Sequence, residues 1–368
     1  MTAVSPAEDR FARQRLIPGW DQRALSESTV ALIGVGALGN EVAKNLALAG
    51  VGRLILCDPD TVAESNLSRT VLFTPDDVGR PKAEAAAGAL ARICPDLRAE
   101  PRVADLVGGV GLGELADARL VIGCVDTIRA RMELLGRCAL VGAALIDGGT
   151  SPWGAELRVR VSVDEPCFGC SLSPHQRAES DVPWSCAEPL PGGRPDAAAI
   201  TTTAVAAGWM SAAGLGLIFG QLPPYRMLSL DVPAGRATTV AVRRDPGCPF
   251  HRPLAGPVVS VPVGPGATAA EFLATLGDEE EAYTWSGFPM RPRCRRCGSM
   301  TADPERSRPE KCPRCGAAIR KSLSTRLRDA RPGLTLHELG VAPAEILPVI
   351  SPDGSSRGHR LREKNTGR

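Results

Sequence analysis

A strand-like run, Thr29-Val-Ala-Leu-Ile, leads directly into Gly34-x-Gly36-x-x-Gly39, and a helix-like segment, Asn40 to Leu48, follows. Glycine lets the chain turn sharply and brings backbone N–H groups closer to a phosphate than a side chain would allow. A strand, this turn and a helix in that order form a nucleotide cradle at a helix N-terminus. The turn specifies a nucleotide and no chemistry, and the residues that follow it have to supply the rest.

The 368 residues leave room for one large domain and a smaller appendage. Aromatic residues make up only 4% of the chain, which suits an Ala/Val/Leu-rich α/β core. A net charge of +2 gives no overall steering toward nucleic acid or membrane, although residues 291–331 hold 13 Lys/Arg against 4 Asp/Glu. Met1 to Arg15 is polar and charged, without the apolar stretch of a signal peptide. The apolar run Ala204 to Phe219 is shorter than the roughly 20 residues of a spanning helix, so a buried core helix is expected and no membrane association. Of the 12 cysteines, Cys57, Cys94, Cys124 and Cys138 stand singly, and the thiols after strand-like runs read as small buried hydrophobes. The others gather in short-spaced pairs, apart from Cys186 and from Cys248, which is spaced with His251, and without secretion such pairs read as metal ligands in a cytoplasmic protein.

Before the first strand lies Arg10-Phe-Ala-Arg13-Gln-Arg15, which is either a solvated helix face or an arm that carries a guanidinium to phosphates. The second strand, Leu54 to Cys57, ends at Asp58, nineteen residues beyond Gly39, where a carboxylate can bond a ribose hydroxyl. A dehydrogenase would show the same features. Asn66, Arg69 and Lys82 then follow within one loop and the start of an Ala-rich helix. Hydride transfer has no need of such cations, whereas nucleotidyl transfer builds charge on the α-phosphate and on departing pyrophosphate. The strand Leu120 to Val125 ends in Asp126, followed by Arg129 and Arg131; Asp126 can hold Mg²⁺ against triphosphate oxygens, cap the next helix, or both. A strand from Ala143 to Ile146 closes this part of the sheet before a turn expected at Gly148-Gly149.

In Arg10 to Gln14, the glycine turn, Cys57-Asp-Pro-Asp60, Ser65-Asn-Leu-Ser-Arg69, Asp77-Val-Gly-Arg-Pro-Lys82 and Val125-Asp126, the chain resembles the ThiF/MoeB/HesA family of ubiquitin-activating-type adenylyltransferases. The resemblance spans about residues 8–251. It implies binding of ATP and Mg²⁺ and adenylation of the C-terminal carboxylate of a ubiquitin-like or sulfur-carrier protein, or of a peptide. By position, Asp58 and Asp60 accompany the nucleotide with Gly34, Gly36 and Gly39. Asn66, Arg69 and Lys82 serve the phosphates and Asp126 the metal. Arg13 reaches the nucleotide of a second subunit, because the family works as a homodimer. Two positions depart from the family pattern: Ser68 replaces its Gln or Glu, and Thr127 its usual Asn.

Cys167-Phe-Gly-Cys170 supplies half of a tetrahedral site, which the family closes late in the domain with a second Cys pair. Here that position reads Cys248-Pro-Phe-His251, and Cys₃His remains a sound zinc site. Cys294-x-x-Cys297 and Cys312-x-x-Cys315, separated by fourteen residues and each followed by Gly, form a zinc-ribbon pattern. The surrounding arginines either offset thiolate charge or dock an acidic partner. Cys186 occupies the position of a cysteine that in some relatives attacks the adenylate to form a thioester or persulfide and in others does not. No neighbour in the sequence would lower its thiol pKa.

The expected architecture is therefore a Rossmann-like, doubly wound, mainly parallel α/β domain over 29–253 behind an N-terminal arm of 1–28. A small α+β module with the ribbon at about 291–320 occupies 254–350, and a disordered tail 351–368. The alternatives to adenylation are a non-catalytic nucleotide-binding scaffold that recruits partners through its ribbon and an NAD(P)-dependent dehydrogenase.

Overall fold

The structure, a computed structural model, describes residues 9–178, 199–290, 294, 296–298, 311, 312, 314–317 and 323–362. The chain forms two compact units, one of Met1–Leu106 and Glu114–Pro253 and one of Val107–Gly113 and Leu254–Arg368.

In the first unit α1 (Gln22–Ser26) precedes β1 (Thr29–Ile33), α2 (Ala37–Ala49), β2 (Arg53–Cys57), α3 (Lys82–Ile93) and β3 (Arg98–Arg102). After α4 (Leu106–Gly109) and α5 (Leu112–Asp117), which carry the chain through the 107–113 segment of the second unit, come β4 (Leu120–Gly123), α6 (Ile128–Val141), β5 (Leu145–Thr150) and β6 (Gly154–Arg160). The remaining elements are α7 (Pro174–Ala178), α8 (Ile200–Ile218), β7 (Met227–Asp231) and β8 (Arg236–Thr239). The strands make one sheet in the order β3-β2-β1-β4-β5-β6-β7-β8. The first five are parallel and the last three antiparallel.

From β1 the chain winds outward to β2 and β3, then returns to place β4 on the other side of β1. Right-handed crossovers running in opposite directions set α2 and α6 on opposite faces and open a crevice between the carboxyl ends of β1 and β4. Strands covered on both faces must be apolar nearly throughout, and Leu32, Leu54, Leu56, Leu120 and Ile122 are fully buried. Truncating any of them to Ala would cost about 2–5 kcal/mol.

The structure corrects two local expectations in this unit. Gly148 and Gly149 are not a turn. β5 runs through them to Thr150, and the reversal into β6 comes at Ser151, whose N–H donates to the Gly154 carbonyl at 2.8 Å. Both glycines serve close packing instead: a Cβ at Gly148 would sit 2.3 Å from Met210 Sδ, and one at Gly149 3.1 Å from Arg131 Nη2. The apolar helix is also longer than its apolar run. It starts at Ile200, takes in the three threonines, and at 19 residues is long and apolar enough to cross a membrane. One face nevertheless packs on α2, β5 and β6 through Ala206, Ala207, Met210 and Gly214, while Val205 and Trp209 are exposed.

The second unit contains β9 (Val258–Val261), α9 (Ala269–Leu273), β10 (Glu281–Pro289), β11 (Leu323–Arg326), β12 (Ile346–Ile350) and β13 (Ser356–Leu361). Its sheet runs β11-β10-β12-β13-β9, with β13 parallel to β9 and antiparallel to β12. α9 begins with a reciprocal cap: the Glu271 N–H donates to Thr268 Oγ1 (3.2 Å) and the Thr268 N–H to Glu271 Oε2 (2.7 Å). The expected disordered tail is wrong over 356–361, because β13 lies between two strands with His359 and Leu361 buried. Its polar sequence concealed this, since Arg357 pairs with Glu280 and donates to His359 Nε2.

Candidate nucleotide crevice and metal centres

The glycine turn joins β1 to α2 at the crevice. Gly34 has φ +88°, in the left-handed region, and a Cβ there would lie 2.5 Å from the Cys124 carbonyl oxygen at the end of β4. A Cβ at Gly39 would fall 2.0 Å from the Gly34 carbonyl oxygen. Gly36 differs from both: nothing lies within 4 Å of its would-be Cβ, so its backbone faces the open crevice. Two glycines thus permit the turn and the third leaves space for a ligand, an arrangement that fits phosphates at the start of α2.

Asp58, at the end of β2, is buried and already engaged. Its Oδ2 accepts the Val35 N–H at 2.7 Å and its Oδ1 the Asp60 N–H at 2.9 Å. Burial pushes this carboxyl above its ordinary pKa, opposed by Lys82 and by those two N–H groups. The residue expected at a ribose therefore also staples the glycine turn to β2. Lys82, the first residue of α3, donates to Asp60 Oδ2 at 2.8 Å, and its N–H donates to the Asp60 carbonyl at 2.9 Å. Between them, Asn66 Oδ1 accepts the Ala63 N–H at 3.0 Å and shapes the short turn that carries Arg69. Arg69 donates to the Ser65 carbonyl at 2.8 Å.

Asp126 is exposed after β4, with no hydrogen bond or ion pair among the described residues. The helix-cap alternative for it does not hold, because Thr127 Oγ1 accepts the Ala130 N–H at 3.1 Å and caps α6. Thr127 thereby performs the capping that an Asn would perform, and Asp126 is left exposed beyond the carboxyl end of β4. In the arm, Arg10 donates to the Ile93 carbonyl and Arg15 pairs with Asp9 at 2.7 Å. Arg13 is exposed beside exposed Leu16 and Ile17.

One group was missed. Arg131, in the first turn of α6, forms a buried ion pair with Asp147 on β5 and donates from Nη2 to the carbonyls of Val125 (3.0 Å) and Gly148 (3.1 Å). Asp147 ends a strand-like run just as Asp126 does, and that shared position was the available signal.

Cys167, Cys170, Cys248 and His251 come together, with all four candidate donor atoms within 4.8 Å of one another. Four thiolates at about 2.3 Å from a tetrahedral Zn²⁺ would stand about 3.8 Å apart. Cys167 Sγ lies 3.7 Å from both Cys170 Sγ and Cys248 Sγ, and His251 Nε2 is 3.0 Å from Cys170 Sγ. His251 Nδ1 donates to the Val163 carbonyl at 2.5 Å, which turns Nε2 toward the thiols as a ligand requires. Burial pushes the Cys167 thiol up to about 12. At Cys170 burial is outweighed by the Asp245 and Cys167 N–H groups and His251, which bring the thiol down to about 7. Cys294, Cys297, Cys312 and Cys315 form a second cluster, with Sγ separations of 3.5 Å (Cys294 to Cys315) and 3.6 Å (Cys297 to Cys312). Gly298 and Gly316 have φ of +70° and +68°, so each knuckle closes through a left-handed glycine. Both clusters fit Zn²⁺ in ligand type and spacing. Cys186 and most of the basic residues around the ribbon lie outside the described residues.

Cys57, Cys94 and Cys138 are buried in the core, and Cys124 is half-buried. Burial raises Cys57 and Cys138 to about 12, which leaves them inert as nucleophiles.

Comparison with known proteins matches residues 9–250 to the ThiF family. Over 165 residues the chain is 36% identical to the molybdopterin-synthase adenylyltransferase of Escherichia coli, covering 44% of this chain and 66% of that protein, a little under two thirds of its length. It is 30% identical over 246 residues to the sulfur carrier protein ThiS adenylyltransferase of E. coli, covering 65% of this chain and 93% of the relative. A crystal structure of E. coli MccB with MccA has the same fold, with a TM-score of 0.53 at 20% identity over 67% of this chain and 76% of that one.

Proposed function

Since the chain belongs to the ThiF family, we propose that it is an ATP-dependent adenylyltransferase that activates the C-terminal carboxylate of a ubiquitin-like or sulfur-carrier protein, or of a peptide. One observation carries this reading: Lys82, Arg69 and Asp126 accompany a glycine turn whose Gly36 leaves open space at the switch point of the sheet.

The incoming carboxylate oxygen attacks the α-phosphorus of ATP, the bond to the β-phosphate oxygen breaks, and acyl-adenylate and pyrophosphate result. The N–H groups at the start of α2 hold phosphate oxygens, and Asp58, already fixed by Val35 and Asp60, accepts from a ribose hydroxyl. Lys82 and Arg69 offset the negative charge that grows toward pyrophosphate. Asp126, exposed and without a hydrogen bond or ion pair among the described residues, would hold Mg²⁺, which screens the triphosphate. Zinc at the two cysteine clusters would fix loops and take no part in the transfer.

The active form is read as a homodimer. Arg13 on its exposed arm would then serve the crevice of a second copy, and Leu16, Ile17 and the uncharged exposed face of α8 would be covered. Cys186 is the candidate for a later thioester or persulfide step.

ATP–pyrophosphate exchange with candidate carrier proteins or peptides tests the whole reading. Exchange that is lost in Lys82→Ala and Asp126→Ala but kept in Cys186→Ala would establish adenylation and separate it from any thiol step. Absence of exchange with every candidate, despite ATP binding, would favour the scaffold alternative.

A further inference from the structure

The first knuckle has a second set of contacts that zinc ligation does not require. Phe168, between Cys167 and Cys170, lies under two guanidinium groups, with Arg158 4.7 Å and Arg131 5.4 Å from its ring centroid. Arg158 projects from β6 directly opposite Asp147 on β5, the residue that pairs with Arg131. The ring therefore closes over a row of charges, Arg131, Asp147 and Arg158, which also line a small cavity with Cys167. The knuckle is itself held, since Arg177 donates to the Gly169 carbonyl at 2.8 Å and Arg160 to the Phe250 carbonyl at 2.7 Å.

From its place against the Phe168 ring, Arg131 reaches the ends of two strands. Its bonds to Val125 and Gly148 fix the last carbonyl before Asp126 and the neighbouring strand beside it. A guanidinium has the planar fork for three such acceptors, and Lys could satisfy only some of them. Space-filling alone does not require the Phe168 ring to lie against Arg131, the guanidinium that bonds the turn carrying Asp126.

We propose that Phe168 and Arg131 form a brace by which the Cys167–His251 metal knuckle positions the turn of residues 124–127, and with it Asp126. Both are positioning residues. Loading the knuckle with zinc fixes Phe168, Phe168 holds Arg131 in its fork, and Arg131 holds the turn. The proposal rests on the adenylation reading only in its last step, the use made of Asp126.

Hydrogen exchange of the full chain, with zinc content measured alongside, separates the two. In Phe168→Leu, zinc stoichiometry is unchanged and the backbone amides of 124–130 exchange about tenfold faster, the scale of a buried cation–π contact. The amides of β1 and β2 do not change. Phe168→Tyr, which keeps the ring, restores protection, and Arg131→Lys loosens the same segment. The half-saturating Mg²⁺ concentration for ATP binding rises with the loss of protection. Wild-type exchange at 124–130 in zinc-loaded Phe168→Leu would overturn the brace. Loosened amides with unchanged Mg²⁺ dependence would uphold the brace and remove Asp126 from the cation site.

Discussion

The ammonium of Lys82 lies 2.8 Å from Asp60 Oδ2, with its side chain 13% exposed and that of Asp60 63% exposed. In the proposed reaction the carboxylate holds the cation ready, in a pair that an arriving phosphate would displace. An exposed partner contributes little to stability. Lys82→Ala is therefore expected to leave the unfolding midpoint nearly unchanged while lowering pyrophosphate exchange by about 10²–10³, the usual effect of removing one charge-stabilising group. Asp60→Asn should lower it far less. Equal losses in both variants would mean that the pair acts as a unit.

The three glycines of the turn should separate by phenotype. Gly39→Ala places a methyl 2.0 Å from the Gly34 carbonyl oxygen and Gly34→Ala one 2.5 Å from that of Cys124, at φ +88°. Both variants should unfold at lower temperature or accumulate insoluble. Gly36→Ala meets no protein atom within 4 Å, so it should fold normally and lose ATP affinity. Calorimetric unfolding beside nucleotide titration distinguishes the outcomes, and a stable Gly36→Ala with intact ATP binding would place the phosphates elsewhere.

Thr127 supplies the helix cap and Asp126 does not. Thr127→Ala should cost about 1 kcal/mol in denaturant unfolding, and Thr127→Asn, which can cap equally well, almost nothing. Asp126→Ala should leave stability unchanged. A stability loss at Asp126 comparable to that at Thr127 would contradict the capping geometry.

Both cysteine clusters should retain zinc through purification, two ions per chain by elemental analysis. His251→Ala should lower the content by one, with a fall in stability of several kcal/mol as a closed structural site opens. Retention of both ions in His251→Ala would show that the fourth ligand lies elsewhere.

Asp77, in the loop before Lys82, offers a pH test. Burial would raise its carboxyl, but the Thr74 N–H and hydroxyl, each at 2.9 Å, and Arg80 outweigh burial and hold it below the ordinary 3.8. A depressed pKa contributes stability that is fully present above the unfolded value and is lost as pH falls through the folded one. The stability gap between wild type and Asp77→Asn should be constant above about pH 5 and close in stronger acid. A gap that widened on acidification would reverse the assignment.

The sequence alone determined the order of strand, glycine turn and helix, the cations after Asp58, and the Cys-x-x-Cys pairs of the two clusters. Each of these signals is local: a turn needs glycine where it bends, and a Cys-x-x-Cys knuckle carries its own geometry. Tertiary structure decided whatever depends on a neighbour distant in sequence. Gly148 and Gly149 read as a turn because nothing in the sequence announces Met210 and Arg131 pressing on β5. Ser356 to Leu361 read as tail because its charges find Glu280 only once the second sheet has formed. Asp126 and Thr127 could each have capped α6, and packing gave the cap to Thr127. Arg131, which in the sequence only follows Asp126 and Arg129, is buried against Asp147 because β4 and β5 lie side by side, a pairing that only the wound sheet creates.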